Sequence, residues 1–340
     1  MIDTTASRFL LALGLATGAI APAWAECDAP ETTLSLGLVQ VPDRGHPSYS
    51  AAETFKTTVE EGTDCKVAID LFPSGQLGGD REMFEALTIG TQDIGFISPP
   101  PMAAFTDVVN VLSLPWLFNG DLVLMHDLLT SEPGEELLDA IDTDVGTIKS
   151  LAFLYSPFRN FVTSKPVKSV EDLQGLKLRT MQANINIETF DAVGTNPTPI
   201  PFPEVYGAMQ TGVVDGFETD VVGMYSGKFQ EVGKYVAVSG HFNNVPIVVM
   251  SDVTWQSLDP SVQEVLQNAA DEAGRVSFEQ SMALIDDYTQ RLKDEGVEFN
   301  EIDVPALAAK MGPIYEKYAG GSESAARFVE QVRAAAAKTQ

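Results

Sequence analysis

The sequence predicts an α/β protein of two domains, with a cleft between them and one long bridging helix. Three observations carry that expectation: a globular composition, strand-like and helix-like runs that alternate from Thr33 onward, and one unbroken helical pattern of about 36 residues towards the carboxyl end. Of the 340 residues 44% are hydrophobic and only 20% charged, which is enough apolar side chain for a full core and excludes a disordered chain. At roughly 150 residues per domain, that length corresponds to about two domains. With 21 Lys+Arg against 48 Asp+Glu the net charge is −27, so nucleic acid and anionic membrane surfaces are excluded as main partners, because both need a basic footprint.

Residues 1–25 read as a cleaved signal peptide. The apolar run from Phe9 to Pro22 follows Arg8 and ends in Ala23-Trp24-Ala25, a small-x-small site that places cleavage before Glu26. The run is shorter than the ~20 residues a spanning helix needs, and Cys27 follows Glu26 rather than the small residue that precedes a lipidated cysteine. No second long apolar run follows, so the mature chain is expected to be soluble and outside the cytoplasm. Such a compartment favours a disulfide between Cys27 and Cys65, which stand just before the strand-like runs Thr33–Gln40 and Lys66–Phe72. If those strands are parallel neighbours, the two sulfurs start side by side.

Leu34–Val39 reads as a strand and Ser48–Glu61 as an amphipathic helix with Ala51, Phe55 and Val59 at i, i+4 spacing. Lys66–Phe72 is the next strand, Pro73-Ser74-Gly75 a turn, Asp80–Gly90 a helix and Asp93–Ile97 a short buried strand. Ser98-Pro99-Pro100-Pro101 is expected to be a rigid loop, since three prolines remove three backbone donors. It sits at a strand's carboxyl end, where open α/β sheets bind ligands. After the strand Leu151–Leu154 a second unit begins, with strands Asn160–Ser164, Leu176–Arg179 and Asp215–Phe217. Val245–Met250 returns the chain to the first unit, and hinge motion is expected near Tyr155 and Val245. The long helix starts with Asp259 as N-cap and Pro260 as first residue, and stops at Gly296. This division gives a first domain of residues 26–154 with 246–286 and a second of 155–245 with 287–340.

Enzyme constellations are scarce. No G-x-S-x-G elbow, H-E-x-x-H, paired Cys/His spacing or phosphate-binding glycine loop occurs, so no cofactor, nucleotide or metal is expected. His46, His126 and His241 read as surface or packing residues. What stands out is a pair of arginines in a chain poor in basic residues, Arg159 and Arg179. They are either solvated, salt-bridged surface groups or an anion site at the domain cleft, where a planar guanidinium fork matches a carboxylate.

The segment Leu71-Phe72-Pro73-Ser74-Gly75-Gln76-Leu77-Gly78-Gly79-Asp80, the segment Asp172–Arg179 and the long block Val193–Gly216 closely resemble the solute-binding receptors of TRAP transporters, the tripartite ATP-independent periplasmic systems, in their DctP type. The resemblance spans essentially the whole mature chain. It implies a periplasmic-binding-protein fold whose two domains close over a small organic carboxylate, with Arg179 making the main bidentate salt bridge, Arg159 a second carboxylate contact and Phe202 the aromatic wall. Asp80, Ser98 and Gln182 match further cleft positions. Where many such receptors carry asparagine after Asp-Gly-x-Glu, this chain has Thr219 followed by Asp220, which is expected to shift specificity away from acids whose other end is anionic. The implied function is capture of an organic acid in the periplasm by a monomeric receptor, and delivery to membrane permease subunits without chemistry on the ligand. A secreted hydrolase or lyase acting on a carboxylate is the alternative, and a receptor of an ATP-driven importer would share the mechanism.

Overall fold

The computed structural model describes Cys27 and residues 29–338; the signal peptide expected over residues 1–25 lies outside the described residues. The chain opens as β1 (Thr32–Gly37), α1 (Pro47–Gly62), β2 (Val67–Phe72), α2 (Asp80–Thr88) and β3 (Ile94–Ile97). β1 pairs in parallel with both β2 and β3, and Thr32 lies opposite Val67. That register brings together the residues just before the two strands, and Cys27 and Cys65 are joined by a disulfide with Cα atoms 5.4 Å apart. α1 buries Ala51, Ala52, Phe55 and Val59 against this sheet.

The triple-proline segment departs from expectation. Pro99–Met102 forms a short helix, α3, with Ser98 as its N-cap. The first-turn amides of a helix have no intrahelical acceptor, so three prolines at its start forfeit no helical bond, and their fixed φ suits the first turn. Beyond a 3-10 segment (Val108–Ser113), α4 (Leu122–Leu129) and α5 (Glu132–Val145) lead to β4 (Ile148–Phe153).

The second sheet is built from β5 (Phe158–Thr163), β6 (Lys177–Thr180), β7 (Asn196–Pro199), β8 (Gly216–Thr219) and β9 (Tyr235–Asn243), with α6 (Asn184–Ala192), α7 (Val205–Gln210) and α8 (Val221–Ser226) between them. The chain then forms β10 (Ile247–Ser251), α9 (Asp252–Ser257), α10 (Pro260–Asp294), β11 (Glu298–Glu301), α11 (Val304–Ala308), α12 (Gly312–Tyr318) and α13 (Glu323–Ala336). The strand orders are β2-β1-β3-β10-β4 and β11-β9-β5-β8-β6-β7. β7, β9 and β11 escaped the sequence reading for identifiable reasons. β7 carries Pro197 and Pro199 and β11 carries two glutamates, and both are edge strands, where neither feature disrupts a ladder on two sides. β9 is broken by a register shift opposite Arg159 and Phe161, near Gly240 at φ 52°, and the Asn160 side-chain oxygen accepts the Ser239 and Gly240 amides there.

The chain crosses between the sheets side by side at residues 154–157 and 244–246, where the Leu154 amide donates to the Pro246 carbonyl at 2.7 Å. α10 is 35 residues long, about 52 Å at 1.5 Å per residue, and it spans both sheets. Its first half packs Leu266, Ala269, Ala270 and Ala273 into the core of the first sheet, and its second half packs Tyr288 and Leu292 into that of the second. Midway it grips the crossing: Ser277 Oγ accepts the Tyr155 amide at 3.0 Å and Ser281 Oγ donates to the Tyr155 carbonyl at 3.0 Å. The carboxyl end corrects the sequence-based division, which gave residues 287–340 to the second domain. α13 packs instead on α4, α5 and the 108–113 segment, burying Ala325, Phe328, Val329 and Val332, because an amphipathic helix settles on the nearest uncovered apolar face.

Candidate ligand-binding site

The carboxyl ends of β1, β3, β6 and β8 converge on one cavity between the sheets, the position that parallel strands with helices on their flanks leave open. The cavity is narrow, with a volume of about 30 Å³. All eight cleft residues expected from the sequence line it: Asp80, Ser98, Arg159, Arg179, Gln182, Phe202, Thr219 and Asp220.

The second sheet supplies the charges. Arg179 is the third residue of β6, where alternation turns Leu178 into the core and Arg179 towards the cleft; it is 2% exposed. Arg159 lies at the start of β5, which runs antiparallel to β8 with Asn160 opposite Thr219, so its side chain reaches the same end of the sheet. Between them stands Glu218 of β8, fully buried, which the sequence reading passed over. Arg159 Nε donates to Glu218 Oε2 and its Nη2 to the Glu218 carbonyl at 2.6 Å. Arg179 Nη1 donates to Glu218 Oε1 at 3.0 Å and its Nε to the Ile200 carbonyl at 2.8 Å. One carboxylate thus clamps two guanidinium groups, leaving Arg179 Nη2 and Arg159 Nη1 outside these contacts. Burial opposes charge on both. For Arg159 the neighbouring Glu218 prevails and holds its pKa up; for Arg179 burial, with Arg159 beside it, lowers the pKa to about 10, still far above neutrality. The Phe202 ring forms a wall 5.8 Å from the Arg179 guanidinium carbon, within cation–π range.

Asp220 has a structural duty the sequence reading did not assign: it caps α8, its Oδ1 accepting the Val222 and Gly223 amides at 3.0 and 2.8 Å. The first sheet supplies polar groups. Asp80, the first residue of α2, accepts the Ser98 amide through Oδ1 at 3.0 Å, and burial pushes its pKa up to about 6 against the pull of that amide and of Arg179. Ser98 Oγ accepts the Asn244 amide group at 3.2 Å. His46 was expected to be a surface or packing residue, yet it lines the cavity as the N-cap of α1, its Nδ1 accepting the Ser48 amide at 3.2 Å. Burial lowers its pKa, which keeps the ring neutral. Two further wall residues, Gln40 and Asn244, carry buried carbonyl oxygens that meet no donor among the described residues. In a buried site such acceptors are satisfied by a guest's hydroxyl groups.

The two sheets touch around the cavity. A Cβ on Gly75 would meet Pro203 at 2.7 Å and one on Gly79 would meet Pro201 at 3.2 Å, so the glycine-rich turn before α2 is where the opposite sheet's prolines come closest. Ser226 of α8 donates to Asp43 at 2.6 Å across the same seam.

Residues 38–321 match the family model described as bacterial extracellular solute-binding protein, family 7. The sialic acid-binding periplasmic protein SiaP of Vibrio cholerae serotype O1 is 29% identical over 287 residues, which cover 84% of this chain and 88% of that one. The structure of a TRAP periplasmic solute-binding protein from Sulfitobacter sp. NAS-14.1 with bound β-D-galacturonate is 31% identical, with a TM-score of 0.83 over 89% of this chain and 99% of the other. A TRAP periplasmic solute-binding protein from Polaromonas sp. JS666 bound to D-erythronate is 28% identical, with a TM-score of 0.83 over 89% and 98% of the two chains.

Proposed function

The chain belongs to family 7 of the bacterial extracellular solute-binding proteins, the receptors of TRAP transporters, and from that premise we propose that it captures a hydroxylated monocarboxylate in the periplasm and hands it to the membrane permease. One observation carries the reading: two buried arginines on β5 and β6, the strands that flank β8, are locked to the one glutamate of β8 and present guanidinium groups to a single cavity beside an aromatic ring. Arg179 is the main partner of the ligand's carboxylate and Arg159 the auxiliary one. Gln40 and Asn244 take the ligand's hydroxyl groups, joined by Thr219, Gln182 and Ser98. The relatives whose guests are named above bind sialic acid, galacturonate and erythronate, which share one carboxylate and several hydroxyls while differing in size.

The cavity's narrow walls support capture by closure. The two lobes, residues 26–154 with 246–286 and residues 155–245 with 287 to about 320, part along the Gly75–Pro203 seam and turn about the paired crossings at Tyr155 and Val245. Closing then places the carboxylate–guanidinium pair in a low-dielectric site, where it is worth more than at a surface. Ser98 Oγ accepts from Asn244 and His46 Nδ1 from the Ser48 amide rather than the two forming a nucleophile with its base, and this favours binding over chemistry.

A thermal-shift screen tests the reading. D-Galacturonate and D-erythronate at a hundred times their Kd should stabilise the fold by about 2.7 kcal/mol, whereas D-galactose, which lacks the carboxylate, should not. Stabilisation by galactose, or none by any carboxylate, would exclude this function. Tighter binding of succinate or malate than of a hydroxylated monocarboxylate would remove the specificity role given to Thr219 and Asp220.

A further inference from the structure

We propose that carboxylate capture is coupled to the uptake of one proton and that Asp80 is the group that takes it, an inference that rests on the reading of the cleft as an anion site. The closed cleft holds two guanidinium groups, Arg159 and Arg179, against three carboxyl groups, Glu218, Asp220 and Asp80. A ligand carboxylate makes a fourth. Neither arginine can shed its charge at neutral pH, so one acid must relinquish its own if the buried site is not to hold two uncompensated negative charges.

The three acids are unequally supported. Glu218 bonds to both guanidinium groups, and Asp220 accepts two amides at the start of α8. Asp80 accepts one amide, from Ser98, and is 8% exposed. Its place at the start of α2 favours the ionised form, but burial outweighs that and sets its pKa at about 6. The elements most in contact with α2 are β3, α3 and β10, whose residues Ile94–Ile97, Pro99–Met102 and Ile247–Ser251 include no charged side chain, and the charged residues of α2 itself, Arg81, Glu82 and Glu85, are exposed. Its charged neighbours are therefore the two arginines across the cleft, both already engaged by Glu218. His46 is the other group in the wall able to take a proton. Its Nδ1 lone pair is committed to the Ser48 amide, and protonation there would break the cap of α1. Once protonated, Asp80 changes from an acceptor into an O–H donor towards the ligand's oxygens.

The sign follows from linkage. The complex binds one more proton than the free protein wherever free Asp80 is ionised, so affinity is level below pH 6 and falls about ten-fold per pH unit above it. Calorimetry with D-galacturonate and D-erythronate at pH 7.5, in buffers of differing ionisation enthalpy, reads the proton number from the slope of heat against that enthalpy, and needs no variant. A slope close to one proton taken up per ligand is expected. Asp80→Asn should bring the slope to zero and make affinity flat between pH 6 and 8. A clear binding heat with zero slope in the unaltered protein overturns the coupling while leaving the anion site intact. A slope that survives in Asp80→Asn and vanishes in His46→Gln overturns the assignment to Asp80. Absence of heat with both acids removes the functional reading and the coupling with it.

Discussion

The two walls of the cleft are built on different principles. The second sheet places its charged groups on strands: Arg159, Glu218 and Arg179 come from β5, β8 and β6, adjacent in the ladder, so backbone pairing sets their spacing and a shared carboxylate sets their direction. The first sheet places its groups at the starts of helices, His46 at α1, Asp80 at α2 and Ser98 at α3, where each side chain also serves or adjoins a cap. On the proposed closure, the positive wall stands ready and the other meets the ligand as the lobes come together. The second sheet's wall should therefore decide whether an acid binds at all, and the first sheet's wall how long it stays.

The sharpest break of that contrast is Arg179→Ala. Removing one partner of a desolvated charge pair costs roughly 2 to 5 kcal/mol, so affinity for the best acid in the screen should fall by well over ten-fold by calorimetry. Arg179→Lys should recover only part of the loss, since an ammonium keeps the charge and loses the fork. Arg159→Ala should cost less. Affinity near the original in Arg179→Ala would place the carboxylate elsewhere. A second intervention touches only the first lobe. Cys65→Ser opens a loop whose ends are 38 residues apart, and the chain-entropy account puts the loss at about 4 kcal/mol of folding stability. The melting temperature should drop by several degrees while affinity at 25 °C stays within about two-fold; a large loss of affinity would mean that the disulfide shapes the cleft.

The smallest effect sharpens the closing role of the first wall. Gly79 has φ −74°, which alanine adopts without strain; its new methyl would meet the end of the flexible Glu82 side chain at 2.8 Å, which can swing aside, and Pro201 across the seam at 3.2 Å. Gly79→Ala should speed ligand dissociation by roughly two- to five-fold in stopped-flow measurements, with the association rate unchanged, because interface substitutions act mainly on dissociation. An unchanged dissociation rate would show that the seam yields.

Much of this was legible in the sequence because alternation and helical period report directly on burial. β1, β2, β3, α1 and the full length of α10 follow from them, and the arginines stood out by rarity in an acidic chain. Glu218 was hidden for the opposite reason: it is one acid among 48, and nothing in a single sequence says that this one is fully buried. The signal available was its place between Phe217 and Thr219 in a four-residue strand that is buried throughout, where a lone charge demands a partner. His46 was likewise illegible, because its position in the cleft depends on how the loop after β1 folds back to cap α1. The prolines of α3 misled because a rule about helix interiors was applied to a helix start.

The place of β10 has a consequence for how the chain assembles. It lies between β3 and β4, so an inner strand of the first sheet is contributed by residues 247–251, after the whole second sheet except its edge strand β11 has been laid down. A growing chain that stops short of Ile247 can pair β1 with β2 and β3, but has nothing to join β3 to β4. Folding of the first lobe is thereby postponed until most of the polypeptide exists, and its closing contacts span about 150 residues between β3 and β10 and about 100 between β4 and β10. Such long loops make for slow, late assembly. A fold that receives one of its inner strands so late keeps the first lobe open through most of its synthesis.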